Sequence, residues 1–289
     1  MNHWISIEKR VAYCLGGAEP VDTILPDNRT YFISQDNILE ESARYPAYRK
    51  SIRRLLAQSA RSGHWFRLGD FAYTEGNGPV VVKVRDSWNP DSKGVIFNLK
   101  EHRHFPDLRD ILPQDPPWTE KKNEVVWRGM STAPPNGKNR ADFVSAYGGT
   151  YDVGFASKNP KNEPKKGPGW KDALSMDEML KYKYLPVLDG NDKATSLVWV
   201  LASGSVPIMV RPRFHSWACE PWLKPGVHYL EMQPDFSDFA DQIEYLKSHE
   251  DHAQEIAQNG WAFASQFYDL RRELAVEREV IHRLDALCG

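Results

Sequence analysis

The sequence predicts an α/β protein made of two Rossmann-like lobes facing a cleft, and three observations favour this fold class. Between residues 124 and 267, strand-like and helix-like segments alternate, which is typical of a parallel sheet with crossover helices. Three more strand-like segments fall within residues 64–99. A proline-rich and aromatic stretch at 106–123 separates the two groups and has the composition of a connection. We therefore expect an N-terminal lobe over residues 1–120 and a C-terminal lobe over residues 121–267.

The composition excludes several classes of protein. With 289 residues, 41% hydrophobic residues and ten tryptophans, the chain can form a sizeable core, so an intrinsically disordered protein is excluded. The net charge of -2 argues against broad nucleic-acid binding, which needs a basic surface. The three cysteines, Cys14, Cys219 and Cys288, have neither the number nor the spacing of a disulfide framework or a metal site.

The cysteine usage and hydropathy predict a cytoplasmic protein. Widely spaced single cysteines fit a reducing compartment. No charged-then-apolar leader is visible, and no apolar run approaches the roughly 18–20 residues of a membrane span. A basic helix face at 49–54 and a basic insertion at 156–170 leave a peripheral contact with an anionic membrane surface open. Both segments are equally typical of a solvated surface.

The strand-like segments of the N-terminal lobe end in charged residues. A helix is predicted over residues 42–62, with Gly63 ending it. The strand that follows ends at Asp70, and the next one ends at Asp86. Ligands of open α/β sheets bind outside the carboxyl ends of the strands, so a strand-terminal aspartate is a candidate site residue. A turn or cap role is the alternative for Asp70.

A strand at the start of the C-terminal lobe brings an arginine into a turn of small and hydroxyl residues. Arg128 stands before this turn, and Arg140 precedes a predicted helix. The turn contributes Gly129, Ser131 and Thr132. A guanidinium suits phosphate because its planar fork makes two parallel hydrogen bonds and keeps its charge. A strand-end salt bridge is the alternative for Arg128.

Residues 188–205 combine an acidic, glycine-containing turn with a helix-like run that ends at Gly204. Such a turn presents unpaired backbone N–H groups, supported by the helix dipole, and the usual small anion for them is a phosphate. The candidate residues are Gly190, Asn191, Asp192, Ala194, Thr195 and Ser196. An ordinary capped helix start is the alternative. Farther on, Glu220 lies in an aromatic loop that predicts either the wall of a ligand pocket or simple packing.

Five segments, taken together and in order, resemble glycosyltransferase family 90. They are NEVVWRGMST, KYKYLPVLDGND, LVWVLASGSVPIMV, FHSWACEPWLKPGVHYLEM and DHAQEIAQNGWAFASQF. The family includes the protein O-glucosyltransferases and the capsule-associated xylosyltransferases. The nearer likeness is to its bacterial branch, the LpsA-type lipopolysaccharide core glycosyltransferases. The resemblance covers about residues 64–268 and is strongest from residue 124 onward.

The resemblance implies a GT-B architecture, in which a C-terminal helix over about 268–289 crosses back to the first lobe. It implies inverting transfer of a sugar from a UDP-sugar donor to a lipopolysaccharide-core or related glycan acceptor. Neither a metal ion nor another cofactor is implied. A peripheral position at the inner face of the inner membrane would fit a lipid-linked acceptor, and no nucleic-acid partner is expected.

The resemblance also implies roles for the candidate residues. Asp70 corresponds to the general base of the family, and Asp86 is its rival. The nucleotide would be held by the arginine–glycine turn with Arg140 and by the turn–helix around 190–196. Glu220 would accept from hydroxyls of the ribose or the sugar. The protein O-glucosyltransferases have an arginine where this chain has Ser196, so the diphosphate would depend more on arginines 128 and 140 and on backbone amides.

Inverting transfer needs a carboxylate that removes the acceptor proton and positive charge that stabilises the departing diphosphate. Two alternatives stay open. One is a transferase that acts on protein or on a small glycoside. The other is a catalytically silent protein that binds nucleotide sugars or glycans. A nicotinamide-dependent enzyme is not expected, because no G-x-G-x-x-G turn follows a strand.

Overall fold

A computed structural model describes residues 4–21, 24, 26, 28–70, 72–74, 78–133, 137–157 and 167–288. Within them the strands, in chain order, are β1 (Thr30–Ser34), β2 (Gly63–Arg67), β3 (Val81–Val82), β4 (Val84–Asp86), β5 (Val95–Ile96), β6 (Lys122–Gly129), β7 (Asp152–Phe155), β8 (Tyr182–Pro186), β9 (Val206–Met209), β10 (Phe214–Ser216) and β11 (Leu230–Glu231).

The α-helices of the described residues, numbered in the same way, are α1 (Ile7–Leu15), α2 (Ile38–Glu41), α3 (Arg49–Leu56), α4 (Glu101–His104), α5 (Leu108–Ile111), α6 (Arg140–Tyr147), α7 (Met176–Met179), α8 (Leu197–Leu201), α9 (Phe239–Ser248), α10 (Glu250–Ala264) and α11 (Leu270–Leu287). None of these helices combines the length and the apolar character that crossing a bilayer requires.

Contacts divide the chain into two compact units. The first unit consists of residues 4–103, 213–222 and 266–289. The second unit consists of residues 104–212 and 223–265. Both contain parallel strands and helices, which confirms the predicted α/β class. The bounds of the units differ from the lobes predicted from sequence, since 104–120 groups with the second unit and 213–222 with the first.

The sheet of the first unit has the strand order β1-β2-β3-β5. β2, β3 and β5 are mutually parallel, and β1 pairs antiparallel with β2 at one edge. A second small sheet pairs β10 with β4 in antiparallel register. This pairing explains why residues 213–222 belong to the first unit. Phe66, Val81 and Val95 are fully buried, so the parallel strands form part of the core of this unit.

The sheet of the second unit has the order β11-β9-β8-β6-β7, and every pairing in it is parallel. If β6 is numbered 1 and the following strands of this sheet are numbered in chain order, the sheet has the order 2-1-3-4-5, read from the β7 edge. The chain therefore turns to one side of β6 for β7 and to the other side for β8. The switch point of the topology lies between β6 and β8, which is where open α/β sheets bind ligands. β9 is buried along its whole length, as expected for an inner parallel strand.

Several predicted elements differ in the structure. The helix expected over 42–62 divides into α2, a 3-10 turn at Pro46–Tyr48 and α3. Pro46 opens that turn, because proline is tolerated at the start of a helix and not inside one. Gly63 begins β2 instead of ending a helix. The strand expected over 78–84 is broken at Lys83, which lies between β3 and β4.

The capping box predicted at α7 is confirmed. The Ser175 hydroxyl accepts a hydrogen bond from the backbone N–H of Glu178 at 3.2 Å, and the Glu178 carboxylate accepts one from the backbone N–H of Ser175 at 2.5 Å. These reciprocal bonds satisfy donors that a helix start leaves unpaired. In the basic insertion predicted at 156–170, residues 158–166 lie outside the described residues.

The C-terminal helix α11 is attached to the rest of the first unit by polar contacts at both ends. Near its start, Glu273 forms an ion pair with the fully buried Arg10 of α1 and accepts from Trp217 Nε1 at 2.6 Å. Near its end, Asp285 Oδ1 lies 3.0 Å from His64 Nε2 and 2.7 Å from the Ser59 hydroxyl. α11 is therefore an integral part of the first unit.

The buried imidazole of His64 makes stability depend on pH. Burial lowers the pKa of His64, and Asp285 opposes that shift only in part. The unfolded chain binds a proton below the ordinary histidine pKa of about 6.5, whereas folded His64 resists protonation. The contribution of His64 to stability is therefore present above pH 6.5 and decreases below it, by at most about 1.4 kcal/mol per pH unit.

We expect His64→Gln to lose less unfolding free energy between pH 7 and pH 5 than the wild type, as measured by urea denaturation. His102→Gln, at an exposed position of the same unit, is the control and should follow the wild type. Equal pH dependence of all three proteins would show that His64 does not titrate in this way.

Candidate functional site

Two clusters of polar side chains lie at the carboxyl ends of parallel strands, one in each unit. The first consists of Asp70, Lys83 and Lys100, which we call the Asp70 cluster. Asp70 follows β2, Lys83 directly follows β3, and Lys100 follows β5. Because these strands are neighbours and parallel, their carboxyl ends meet at one edge of the sheet. The topology thus brings together three residues that are up to 30 positions apart in sequence.

The two lysines of the Asp70 cluster surround one carboxylate. Lys83 Nζ lies 3.0 Å from Asp70 Oδ1, and Lys100 Nζ lies 3.9 Å from the same oxygen. The side chain of Lys83 is 5% exposed, and that of Asp70 is 35% exposed. The carboxylate is therefore accessible to a ligand, while the cation that contacts it most closely is buried.

The backbone that presents Asp70 is held by hydrogen bonds on both sides. The hydroxyl of the fully buried Tyr48 donates to the carbonyl of Gly69 at 2.8 Å and accepts from its N–H at 3.1 Å. Arg29 donates to the carbonyl of Asp70 at 3.1 Å. Gly69 has a φ of +93°, and a Cβ there would lie 3.1 Å from the Tyr45 ring. Only glycine fits this turn without strain, which explains the Gly-Asp sequence.

Lys100 adopts a backbone conformation that is unusual for a lysine. Its φ is +56°, a left-handed value that costs about 1–3 kcal/mol outside glycine. Its ammonium lies 4.5 Å from the centroid of the Tyr48 ring, within the range of a cation–π interaction. The surrounding contacts therefore hold a strained residue beside the carboxylate, an arrangement that is common at functional sites.

Asp86, the rival of Asp70, lies in a different environment. Its carboxylate forms two hydrogen bonds with the guanidinium of Arg213, at 2.8 and 2.5 Å, and accepts from the backbone N–H of Trp88 at 3.1 Å. Both side chains of the ion pair are buried, at 9% exposure for Asp86 and 7% for Arg213. Asp86 thus has the geometry of a structural ion pair that joins β4 to the segment leading into β10.

The second cluster lies at the switch point between β6 and β8 and consists of Thr132, Arg140 and Gly190. We call it the switch-point cluster. Arg140 donates to the Thr132 hydroxyl at 3.0 Å and to the carbonyl of Met130 at 3.1 Å, both after β6. It also donates to the carbonyl of Leu188, after β8, at 2.7 and 3.2 Å. Arg140 therefore connects the two loops that leave the sheet in opposite directions.

Gly190 completes the switch-point cluster at close range. A Cβ at this position would lie 2.9 Å from the Thr132 hydroxyl oxygen and 3.3 Å from two nitrogens of Arg140. A side chain would enter the space directly in front of the guanidinium. The absence of one at Gly190 lets the backbone of this turn approach the Thr132 hydroxyl and the Arg140 guanidinium closely.

The turn that follows Gly190 is more closed than the sequence predicts. Asp189 accepts a hydrogen bond from the Ala194 N–H at 2.9 Å, and the Gly190 N–H donates to the Asp192 carbonyl at 2.8 Å. These two amides are consequently used inside the turn. α8 contains only five residues, so its dipole adds little to anion binding. The predicted cradle of helix N-terminal amides is therefore reduced, because a side chain and a carbonyl of the same turn accept from them.

The other candidates of this turn differ in exposure. Asp192 is buried, at 6% exposure, whereas Asn191 and Thr195 are half-buried. Ser196 stands at the N-cap of α8 without a side-chain capping hydrogen bond. Ser131, in the turn after β6, is exposed. A Cβ on Gly129 would lie 2.6 Å from the Trp127 ring, so this glycine permits close packing within β6.

Arg128 directs its hydrogen bonds to residues other than those of the switch-point cluster. It forms an ion pair with Asp152 at 2.8 Å and donates to the backbone carbonyls of Asp152 and Asp172, each at 2.9 Å. Its side chain is 8% exposed. These contacts attach β6 to β7 and match the strand-end salt bridge that the sequence left as an alternative.

Glu220 belongs to the first unit, as does the Asp70 cluster. It is 2% exposed, and its carboxylate accepts from the Ser216 N–H at 2.7 Å and from the Ser216 hydroxyl at 2.6 Å. These bonds shape the loop after β10. A role for Glu220 toward sugar hydroxyls stays a prediction, and the contacts present give it a structural one.

Lys83 and Lys100 are not among the site residues predicted from the sequence. A usable indication was present, since charged residues at strand ends had already drawn attention to Asp70. The same rule selects Lys100, which follows the third predicted strand, but not Lys83, because the second strand is predicted to continue past it. Across the described residues, no group of three or more histidine, cysteine, aspartate or glutamate side chains has the arrangement of a metal site.

Comparison with known proteins agrees with the resemblance in sequence. The model of the family Glycosyl transferase family 90 matches residues 98–273. The chain is 31% identical over 198 residues to O-glucosyltransferase LpsA of Dichelobacter nodosus, which covers 68% of this chain and 58% of that protein. The chain thus spans less than two thirds of the length of this relative.

Animal proteins are also similar. Protein O-glucosyltransferase 2 of Danio rerio is 31% identical over 154 residues, covering 52% of this chain and 30% of that protein. Protein O-glucosyltransferase 1 of Homo sapiens is 29% identical over 153 residues, covering 51% of this chain and 38% of that protein. The family model matches more than half of the chain and includes the whole switch-point cluster. The chain belongs to glycosyl transferase family 90.

Proposed function

We propose that this chain is an inverting, metal-independent glycosyltransferase that moves a sugar from a UDP-sugar to a lipopolysaccharide-core or related glycan acceptor. The main support is the switch-point cluster, which gathers a cation, a hydroxyl and a side-chain-free glycine at the carboxyl edge of a parallel sheet. The proposal assigns the donor to the second unit and the general base to the first. This is the division of labour of a GT-B enzyme.

The donor's diphosphate would bind at Arg140. The guanidinium of Arg140 donates hydrogen bonds to oxygens of Met130, Thr132 and Leu188, which fix its orientation at the carboxyl edge of the sheet. Thr132 adds a hydroxyl, and Gly190 packs closely against both side chains and brings the backbone of the second turn next to them. Arg140 is the first residue of α6 and is half-buried, and its guanidinium can supply the positive charge that stabilises the leaving diphosphate.

Arg128 has less support for this role than Arg140. Its guanidinium is buried against Asp152, and the ion pair would have to break before a phosphate could bind. Asp152 also pairs with Lys171 Nζ at 3.2 Å, so Arg128 belongs to a three-residue ionic cluster at this edge of the sheet. We therefore expect Arg128 to stabilise the β6–β7 edge of the sheet. A direct contact of Arg128 with the nucleotide is the alternative, and the Arg128→Ala variant tests it.

Asp70 would remove the proton of the acceptor hydroxyl as its oxygen attacks the anomeric carbon. The new bond to carbon forms on the face opposite the nucleotide, and the electron pair of the old bond leaves with the diphosphate. Asp70 is preferred to Asp86 because its carboxylate is 35% exposed, whereas Asp86 is buried in a bidentate ion pair. Asp70 precedes the residues matched by the family model, so this assignment rests on the geometry of the first unit.

The lipopolysaccharide-core acceptor follows from the resemblance of the sequence to the LpsA-type branch of the family, and the similarity to O-glucosyltransferase LpsA supports it. A protein acceptor is the second candidate, because the similar animal proteins are protein O-glucosyltransferases. A thermal-shift panel of UDP- and GDP-sugars, followed by product analysis with the donor that binds, tests the proposal. Stabilisation by a UDP-sugar and transfer to a core oligosaccharide are expected. A protein that binds donors but neither transfers nor hydrolyses them would contradict the enzymatic proposal.

Replacing Asp70 separates catalysis from donor binding. We expect Asp70→Asn to lower kcat by at least about 100-fold, since general-base catalysis contributes roughly 10²–10⁴-fold. UDP affinity by calorimetry should be unchanged. Asp91→Asn, an exposed carboxylate of the same unit, is the control and should keep full turnover. Undiminished transfer by Asp70→Asn would overturn the assignment of the base.

Replacing each arginine in turn shows which one holds the diphosphate. We expect Arg140→Ala to weaken UDP binding by about 1.5–3 kcal/mol, or roughly 10- to 100-fold, because a hydrogen bond to a charged group is lost. Arg128→Ala should instead lower the melting temperature and leave UDP affinity nearly unchanged. The reverse pattern would move the diphosphate site from the switch point to Arg128.

A further inference from the structure

We infer that Lys83 is a positioning residue for the Asp70 carboxylate: it fixes the direction of the carboxylate and favours its ionised form. The inference rests on the proposed role of Asp70 as general base. It goes beyond that role because it explains how a partly exposed carboxylate stays oriented and charged before the acceptor binds.

Lys83 is buried more deeply than a lysine at a strand end normally is. Its side chain is 5% exposed, while Asp70 beside it is 35% exposed. Burying an ammonium costs free energy unless an anion compensates it, and Asp70 Oδ1, at 3.0 Å, provides an anion at hydrogen-bonding distance. The contact therefore restrains the exposed partner from the protein side, and the acceptor approaches from the solvent side.

The position of Lys83 follows from the interruption of a strand. Residues 80–84, VVVKV, are apolar except for one lysine and predict an uninterrupted strand. In the structure β3 ends at Val82 and β4 begins at Val84. The single residue between β3 and β4 is Lys83. This break places its side chain at the carboxyl edge of β3, next to the turn that ends in Asp70.

The described charged groups that face Asp70 come from several elements. Lys83 follows β3, Lys100 follows β5, and Arg29, directly before β1, donates a hydrogen bond to the carbonyl of Asp70. Of the two ammonium groups, Lys83 is at hydrogen-bond distance, and Lys100, at 3.9 Å, acts mainly through its charge. Lys83 is thus the group that can both orient the carboxylate and favour its charged form.

The transfer reaction needs no reactant besides the donor and the acceptor. The proton of the acceptor hydroxyl moves to the Asp70 carboxylate, the acceptor oxygen bonds to the anomeric carbon, and the bond to the diphosphate breaks with its electron pair leaving on the nucleotide. Lys83 exchanges no proton and forms no covalent bond. Its effect is on the orientation and the basicity of Asp70.

The test compares Lys83→Gln, which removes the charge, with Lys83→Arg, which keeps it and changes the geometry. Lys9→Gln, an exposed lysine of α1, is the control for loss of one positive charge from the same unit. The readouts are kcat and donor KM, the dependence of kcat/KM on pH from 2.5 to 8, UDP affinity by calorimetry and the thermal melting temperature.

For Lys83→Gln we expect kcat to fall by about 10-fold or more, with donor KM and UDP affinity unchanged. The acid limb of kcat/KM should move to higher pH by about 1, because a nearby cation normally favours the ionised carboxylate by that much or more. In Lys83→Arg the acid limb should stay close to its wild-type position while kcat falls. Lys9→Gln should match the wild type in all measurements.

An acid limb that stays at the wild-type pH in a folded Lys83→Gln protein would overturn the inference, even if kcat falls. If Lys83→Gln does not fold, the acid limb of kcat/KM in Lys83→Arg decides. An acid limb that moves about 1 pH unit upward, as expected without a cation, contradicts the inference, and one that stays at the wild-type pH supports it. Failure of the proposed function appears differently. In that case Asp70→Asn keeps its turnover, or the wild type shows no transfer with any donor.

Discussion

Parallel pairing of neighbouring strands is the constraint on which both candidate clusters depend. Each parallel pair places two carboxyl ends at the same edge of the sheet. Residues that are far apart in sequence therefore lie close together there because of the strand pairing itself. In the second unit the pairing of β6 with β8 places the Thr132 and Gly190 turns side by side, and Arg140 then joins them. In the first unit the pairing of β2, β3 and β5 does the same for Asp70, Lys83 and Lys100. A shift in strand register would disperse either cluster.

The sequence was sufficient for the class of the fold and for the elements with strong local patterns. The alternation after residue 124 predicted a parallel sheet, and the Ser175–Glu178 spacing predicted a capping box, because both depend on periodicity or on contacts within one turn. Where a long side chain points depends on neighbours that are distant in sequence. For that reason the sequence names both Arg128 and Arg140 for the diphosphate and does not reveal that Arg128 pairs with Asp152 while Arg140 lies at the switch point.

The same limit applies to the turn at 189–196. Its composition correctly indicates a turn followed by a helix. Which backbone N–H groups remain available to a ligand depends on the hydrogen bonds that the Asp189 carboxylate and the Asp192 carbonyl accept within the turn. The burial of a charged side chain cannot be predicted from the sequence either. Asp70 and Asp86 both end strands and both precede aromatic residues within two positions, yet one is accessible between two lysines and the other is enclosed with Arg213. The physical difference is the solvation of the carboxylate, which tertiary packing alone decides.

The composition of the first unit has a consequence for how the chain becomes folded. Its strand β10 and its helix α11 come from residues 213–222 and 266–289, long after the parallel strands have been synthesised. Until those segments emerge, β4 has no antiparallel neighbour, Asp86 lacks its guanidinium partner, and Arg10 lacks Glu273. The N-terminal hundred residues therefore cannot complete their fold on the ribosome ahead of the rest, in contrast to the usual order in which domains fold from the N-terminus. The unit that contains Asp70 is therefore synthesised first and completed last.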